Sequence, residues 1–402
     1  MNRLSRLLLI PALLALLIPA GCKSATAPAG REARTVRVAF FNIERLSTEK
    51  ITATDDTSAG TNEQLQAAAA IIQRIKPDIL IVQELDHDYE ALERGEGQLD
   101  KNLWLFETNY LDQGTNAVRF RHAFVAPCNT GLLAGHDFDN NGMVATEADL
   151  NTREYGGDTY GYGEYPGQFS MGILTNYPID RDDVRTFQKF LWKDLPGAHL
   201  PEGWYSPEEL EVFRLSSKSH WDIPIEIDTQ MLHLLVSHPT PPVFDGPEDR
   251  NGLRNYDEIK FWAHYLDGDQ ALYDDEGERG GLKSGAPFII AGDLNASPNS
   301  DPIATGEVAI TQLLEHPMIA DPGDLLSSTG ALRGNVAGPP AYFERATASW
   351  REGFRVDYLL PGTNVRVVDG GVFWPSEAED PEGAALADKA SDHRLVWLDI
   401  AF

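Results

Sequence analysis

Short runs of alternating or continuous apolar residues recur along the chain, and most of them stop at a carboxylate, an amide or an imidazole. Val36, Val38 and Phe40 alternate with Arg37 and Ala39 before Phe41 gives way to Asn42, which predicts a core strand over residues 36 to 41. Asp78 to Val82 reads as a second strand, ending at Gln83 and Glu84. Between the two, Asn62 supplies a capping residue, and Leu65 with Ala67 to Ile75 follows helical spacing until Pro77 stops it. A strand, helix, strand unit of this kind brings Asn42 and Glu84 to neighbouring strand ends. Further strands are predicted at Met171 to Leu174, Met231 to Val236, Pro287 to Ala291, Phe354 to Leu360, Val365 to Phe373 and Leu395 to Ile400. Helices are predicted at Arg254 to Leu266, with Ile259, Trp262, Ala263 and Leu266 on one face, and at Val308 to Leu314. Residues 321 to 349 read as loop, and no internal repeat of fixed period is present.

From about Gly131 to Trp221 the periodicity breaks into Gly, Tyr, Pro and acidic clusters, so this stretch reads as a long insertion. Its run Asp137-Phe138-Asp139-Asn140-Asn141-Gly142 places oxygen ligands at alternating positions, with a Gly where a calcium loop turns. Ala148 stands where such a loop has its twelfth, acidic ligand. Asp137, Asp139 and Asn141 therefore read either as a structural Ca²⁺ site or as a solvated acidic turn. Tyr155 to Phe169 forms either one wall of a cleft or a loop packed on the domain. Arg214, Lys218 and His220 are the basic cluster of the stretch and either bind a substrate phosphate or make a salt-bridged turn.

Composition narrows the class. The chain has 402 residues, 42% of them hydrophobic, enough for a sizeable core. A formal net charge of -29 repels nucleic-acid phosphates at long range, which argues against tight nonspecific DNA or RNA binding through the protein's own charge. A metal ion in a cleft reverses that repulsion locally. Arg3 and Arg6, the apolar run Leu7 to Ile18 and Pro19-Ala20-Gly21-Cys22 have the anatomy of an export signal. Its ending resembles a bacterial lipobox, with Cys22 as the lipid-bearing residue and residues 22 to 35 as a flexible tether. Only Cys22 and Cys128 are available, so neither a disulfide framework nor a cysteine zinc site can form, and Cys128 is expected to be a small buried hydrophobe.

The strand-end clusters carry the chemistry. Asn42-Ile43-Glu44, Gln83-Glu84, Ser237-His238, Gly292-Asp293-Leu294-Asn295, Arg355-Val356-Asp357-Tyr358 and Ser391-Asp392-His393 would all gather on one rim of a core sheet. Glu84, Asp392 and the amide of Asn42 are hard oxygen ligands of the kind Mg²⁺ takes, and Glu44 is either a further ligand or a supporting carboxylate. Asp293 and Asn295 at i and i+2 share one face of an extended segment, a carboxylate to polarise water beside an amide to hold a phosphoryl oxygen. His238 and His393 are acid/base candidates, and Asp357 can fix the tautomer of His393.

In this order the clusters resemble the endonuclease/exonuclease/phosphatase superfamily over about residues 36 to 402. The resemblance implies an α/β fold, a four-layer αββα sandwich of two packed mixed sheets flanked by helices, and cleavage of phosphate esters dependent on Mg²⁺ or Mn²⁺. It implies that Asn42 and Glu84 belong to the metal site, with Asp392 near it. Asp293 would activate water, Asn295 would contact phosphate, and His393, oriented by Asp357, would bind phosphate or transfer a proton. His238 would be the second catalytic imidazole. Around His238 the chain departs from the nucleases, with Pro239-Thr240-Pro241-Pro242 and an acidic loop, and Arg254 takes the place of an Arg that precedes a helix in many relatives and contacts phosphate.

The expectation is thus a monomer with a signal at 1 to 21 and one catalytic domain at 36 to 402. It would be an exported phosphatase or phosphodiesterase held in the bacterial cell envelope by an N-terminal lipid anchor in the membrane. An extracellular nuclease is the alternative, and a catalytically silent calcium-binding surface module the third reading. Mass measurement of the mature protein is expected to give a chain that begins at Cys22 and carries lipid; an unmodified terminus at any other residue would rule the anchor out.

Overall fold

Period-two alternation in the first strand separates its side chains onto two faces, and both faces are buried. Val36, Val38 and Phe40 enter one apolar cluster, whereas Ala39, Phe41 and Ile43 enter another. A strand buried on both sides requires a layer above and a layer below. The computed structural model describes residues 34–88, 99–323, 325–332, 344–350 and 353–401. The expected signal segment, Cys22 and most of the tether lie outside the described residues, and Arg34–Phe402 clusters as one compact unit.

The strands are β1 (Thr35–Leu46), β2 (Ile79–Leu85), β3 (His122–Phe124), β4 (Ser170–Thr175), β5 (Arg185–Thr186), β6 (His220–Ile227), β7 (Gln230–Ser237), β8 (Phe288–Asp293), β9 (Asp357–Pro361), β10 (Arg366–Val372) and β11 (Val396–Ala401). They form a six-stranded sheet of order β10-β11-β1-β2-β4-β3 and a five-stranded sheet of order β5-β6-β7-β8-β9. The pairs β1 with β2 and β7 with β8 are parallel and the other pairs antiparallel, so both sheets are mixed.

One apolar layer lies between the sheets, built from Val38, Phe40, Ile79 and Ile81 on one side and Ile223, Leu234, Val236 and Ile289 on the other. On the outer face of the six-stranded sheet, Ala39, Phe41, Leu80 and Val82 pack with helix α1 (Glu63–Ile75). On the outer face of the five-stranded sheet, Leu235, Ile290 and Leu360 pack with Ile259, Phe261 and Trp262 of helix α2 (Arg250–Leu266). The order is helix, sheet, sheet, helix, the four-layer α/β arrangement expected. Asn62 caps α1 by accepting from the N–H of Leu65 at 3.1 Å, and the helix ends on Lys76 in the left-handed region, at φ 55°.

The fold departs from the sequence reading at several elements. Strand β6 was hidden by Pro224, which argues against a strand by itself; here Trp221, Ile223, Ile225 and Ile227 still alternate into the core. The segment read as irregular to Trp221 therefore becomes strand at His220. Helix α3 (Pro381–Ala390) was also missed, although Asp380 caps it through the N–H of Gly383 at 2.8 Å and Pro381 stands in its first turn. Cys128 is buried, as a small hydrophobe would be.

A buried amide ties the backbone of the two sheets together at one rim. Gln83, at the end of β2, is fully buried; its Nε2 donates to the Ser237 carbonyl at 2.8 Å and its Oε1 accepts from the N–H of Asp293 at 3.0 Å. Replacing it by Leu leaves both backbone groups unpaired, at about 1–3 kcal/mol each. Gln83→Leu is accordingly expected to lower the denaturant midpoint at unchanged slope; an unaltered midpoint would show that this tie contributes nothing to stability.

Candidate active site

The site is the polar continuation of the apolar layer. On β1 the core-facing positions Val36, Val38 and Phe40 are followed by Asn42, and on β8 Ile289 and Ala291 are followed by Asp293. On β7 Leu232, Leu234 and Val236 lead to His238, and on β9 Leu359 is preceded by Asp357. Each polar residue keeps the parity of its stripe, so all four point into the space between the sheets at the same rim. Asn42, His238, Asp293, Asp357 and His393 are all buried.

Glu84 obeys a different rule. Alternation on β2 would send it to the helix side with Leu80 and Val82. Instead its backbone is left-handed at φ 63°, and the pairing of β2 with β4 shifts between Gln83 and Leu85. A bulge of this kind re-aims a side chain. Asn42 Nδ2 lies 3.3 Å from Glu84 Oε1, 3.2 Å from Asp293 Oδ2 and 3.2 Å from His393 Nε2, and the N–H of Arg45 donates to Glu84 Oε2 at 2.9 Å.

His393 reaches the cluster from the turn before β11. Ser391 Oγ donates to the Asn42 carbonyl at 2.8 Å and accepts from the N–H of His393 at 3.0 Å, which binds this turn to β1. The ring is held by Asp357, whose oxygens lie 2.9 and 3.0 Å from Nδ1, and its Nε2 is 3.5 Å from Asp293 Oδ2. Burial alone would strip its proton, but the charges of Asp357 and Asp293 outweigh it and raise the imidazole to about 10. Asp293 is itself pushed up to about 7, chiefly by burial, against the opposing pull of His393. His238, with Nε2 3.5 Å from Asp293 Oδ2, is driven well below the usual imidazole range by burial and by the charges of Lys218 and His393. One imidazole of the centre is thus held charged and the other neutral.

The remaining sequence candidates separate. Asp392 lies 4.0 Å from His393 Nε2 with its side chain 44% exposed, open to the rim. Glu44 is exposed at the edge of the site. Asn295 is not on an extended segment: it turns left-handed at φ 50°, its N–H donates to Asp293 Oδ1 at 2.8 Å, and its Nδ2 donates to the Pro239 carbonyl at 3.1 Å. Arg254 requires a correction, since it is buried and donates to the carbonyls of Leu215, Tyr160 and Arg214 at 2.9, 2.6 and 3.0 Å; it staples the insertion to α2 and offers no exposed phosphate contact. Arg214 and His220 are likewise structural, the first on Asn129 Oδ1 at 2.6 Å and the second between Ser216 and the Glu258 carbonyl. Of that cluster, Lys218 is the residue whose charge acts on His238.

In the insertion, Tyr165 donates to Asp86 at 3.0 and 3.1 Å, two residues past Glu84, while Tyr162 is 48% exposed. Asp137 and Asp139 come together with the buried Asp158, which the sequence reading did not include. Asn141 Oδ1 instead accepts from the N–H of Met143 at 2.8 Å. Trp350, also missed, is 50% exposed and meets His393 in an edge-to-face arrangement at 4.6 Å between centroids.

Donor chemistry favours one metal-binding set over another. Asp293, Asp357 and His393 present ligand-type atoms within 4.8 Å of one another. His393 Nδ1 is engaged by Asp357, however, and a protonated imidazole has no lone pair to give. Asn42 Oδ1 is buried with no hydrogen-bond partner among the described residues, and Glu84 and Asp392 add carboxylates. An orphaned amide oxygen with two hard carboxylates fits Mg²⁺ or Mn²⁺.

The model of the Endonuclease/Exonuclease/phosphatase family matches residues 39–393 of this chain. No curated protein matches it. Similar solved structures include an endonuclease/exonuclease/phosphatase from Beutenbergia cavernae DSM 12333, at 15% identity over 92% of this chain and 72% of that one, with a TM-score of 0.49. A family protein from Leptotrichia buccalis C-1013-b gives 11% identity over 91% and 100%, with a TM-score of 0.48. TDP2 from Caenorhabditis elegans gives 14% over 92% and 75%, with a TM-score of 0.41.

The electrostatics set a sign for pH dependence. Because folding raises the His393 pKa above its unfolded value of about 6.5, the pair with Asp357 stabilises fully below that pH and is lost as pH rises through about 10. In metal-free protein, imidazole NMR is expected to show His393 protonated at neutral pH and, in Asp357→Asn, titrating much lower; equal titration in both proteins would refute the pairing.

Proposed function

This chain belongs to the Endonuclease/Exonuclease/phosphatase family, and from that premise we propose that it is an exported, divalent-metal-dependent hydrolase that cleaves phosphate esters by direct attack of water on phosphorus. The family comprises phosphoester hydrolases, so the reaction class follows from membership. The observation that carries the reading is the amide of Asn42, within 3.2–3.3 Å of a carboxylate on each sheet and of the imidazole of His393.

Each residue then has a task. Asp293, whose raised proton affinity suits a general base, takes a proton from water, and the N–H of Asn295 holds its carboxylate in place. Neutral His238, with Nε2 3.5 Å from Asp293 Oδ2, lines the same pocket without adding charge. His393, kept charged by Asp357, stabilises the oxyanion and protonates the leaving oxygen as the ester P–O bond breaks. Glu84, Asn42 and Asp392 would hold the cation. When bound, Mg²⁺ or Mn²⁺ polarises the phosphoryl group and offsets its charge.

A net charge of -29 favours small or lipid-linked phosphates over a long polyanion. Export and a lipid anchor at Cys22 fit such substrates at an envelope surface. A nuclease is the second reading, favoured by exposed Trp350 beside His393, a ring on which a base can stack.

The test is turnover of phosphomonoesters, phosphodiesters, phospholipids and DNA with Mg²⁺, Mn²⁺ or Ca²⁺. Asp293→Ala and His393→Ala are each expected to lose about 10²–10⁴-fold in kcat. Equal turnover by wild type and variants on every substrate would refute the assignment of these residues.

A further inference from the structure

Among the described residues Lys218 is the one buried lysine, 6% exposed. Lysines normally keep their ammonium in water, and a largely buried side chain whose ammonium has no protein acceptor calls for one. Yet among the described residues this ammonium makes no hydrogen bond or ion pair. The carboxylates whose charges act on it are Glu258, Glu84 and Asp293, opposed by the guanidinium of Arg254, and its own charge acts on His238. The oxygens of Glu258 take the N–H groups of Ser217 and Thr240, each at 2.6 Å, and among the described residues no hydrogen bond joins them to Lys218.

The backbone around Lys218 is fixed on every side. Asn129 N–H donates to its carbonyl at 2.8 Å, and Ser217 Oγ donates to the carbonyl of His238 at 3.1 Å. Gly161 packs so closely that a Cβ there would lie 1.7 Å from the Ser217 carbonyl. A lysine that merely balanced charge would have its head group paired; here the main chain is locked and the head group is not. Arg214 and Arg254, the other cations nearby, are committed to Asn129 and to backbone carbonyls.

We propose that Lys218 is a phosphoryl-binding residue of the centre: its ammonium donates to a non-bridging oxygen of the phosphate ester bound between Glu84 and Asp293, and the 131 to 221 insertion serves to bury that lysine against the site. This rests on the phosphoester-hydrolase reading above. A phosphoryl oxygen supplies the acceptor that Lys218 lacks, and in a water-poor site a charge-assisted bond of this kind is strong. The lysine also supplies, within a chain of net charge -29, a positive group aimed at an anionic substrate.

The test uses the mature chain as wild type, Lys218→Met and Lys218→Arg. Calorimetry measures inorganic phosphate binding with Mg²⁺ present and with metal chelated, and kcat/KM is taken on an ester the wild type turns over. Lys218→Met, which keeps the stem and loses the charge, is expected to weaken phosphate binding and lower kcat/KM by about 10- to 100-fold. Near-UV circular dichroism should stay that of wild type. Phosphate affinity and kcat/KM within about twofold of wild type would overturn the proposal. If the Met variant does not fold, Lys218→Arg decides: an affinity changed severalfold supports contact with phosphate, and an unchanged one refutes it. A wild type that hydrolyses no phosphate ester would instead sink the functional reading, while phosphate binding would still judge Lys218.

Discussion

Burial of one apolar layer between two sheets is the constraint on which everything else rests. Each aliphatic side chain in that layer contributes about 1.5–3 kcal/mol relative to exposure. The polar rim gains little on its own, because buried ions are favourable only when their attraction and hydrogen bonds repay desolvation. Val38, Phe40, Leu234, Val236 and Ile289 thus hold together a cluster that would otherwise separate. Gln83 completes the closure by hydrogen bonding to the backbone of both β7 and β8.

That closure also sets the electrostatics. Asp357 and Asp293 lie in a space from which water is largely excluded, so their charges reach His393 with little screening and keep it protonated. The same exclusion raises Asp293 and favours the neutral form of His238. Three groups of ordinary chemistry are driven to different protonation states by position alone, which is what acid/base division of labour requires. Rigidity follows as well, since Ser391 binds the His393 turn to β1 and the turn at Asn295 is closed on Asp293.

The segment between β3 and β6, which also carries strands β4 and β5 of the two sheets, packs beside this site. Tyr165 reaches Asp86 just beyond Glu84, Arg254 staples the segment to α2, and Glu258 of that helix fixes Ser217 and Thr240. The segment's irregular loops are held by these side-chain bonds and by backbone bonds such as Tyr160 N–H to the Leu132 carbonyl at 2.9 Å, with an aromatic cluster of Phe138, Tyr205 and Phe213 packed behind them.

Much of this was legible in the chain alone. Apolar stripes that run into Asn42, Asp293 and His238 or out of Asp357 announce strands that deliver polar groups to one rim, because alternation is a property of the extended backbone. Strand β6 and helix α3 were not legible, since Pro224 contradicts the local pattern and α3 is short and weakly apolar, so only tertiary burial decides them. Nor does sequence show that Glu84 leaves its face through a left-handed residue, that Arg254 is turned inward, or that the charge of Lys218 acts on His238. Periodicity assigns a residue to a face by counting; bulges, turns and the close approach of Gly161 to Ser217 override the count, and they exist only once distant segments are packed.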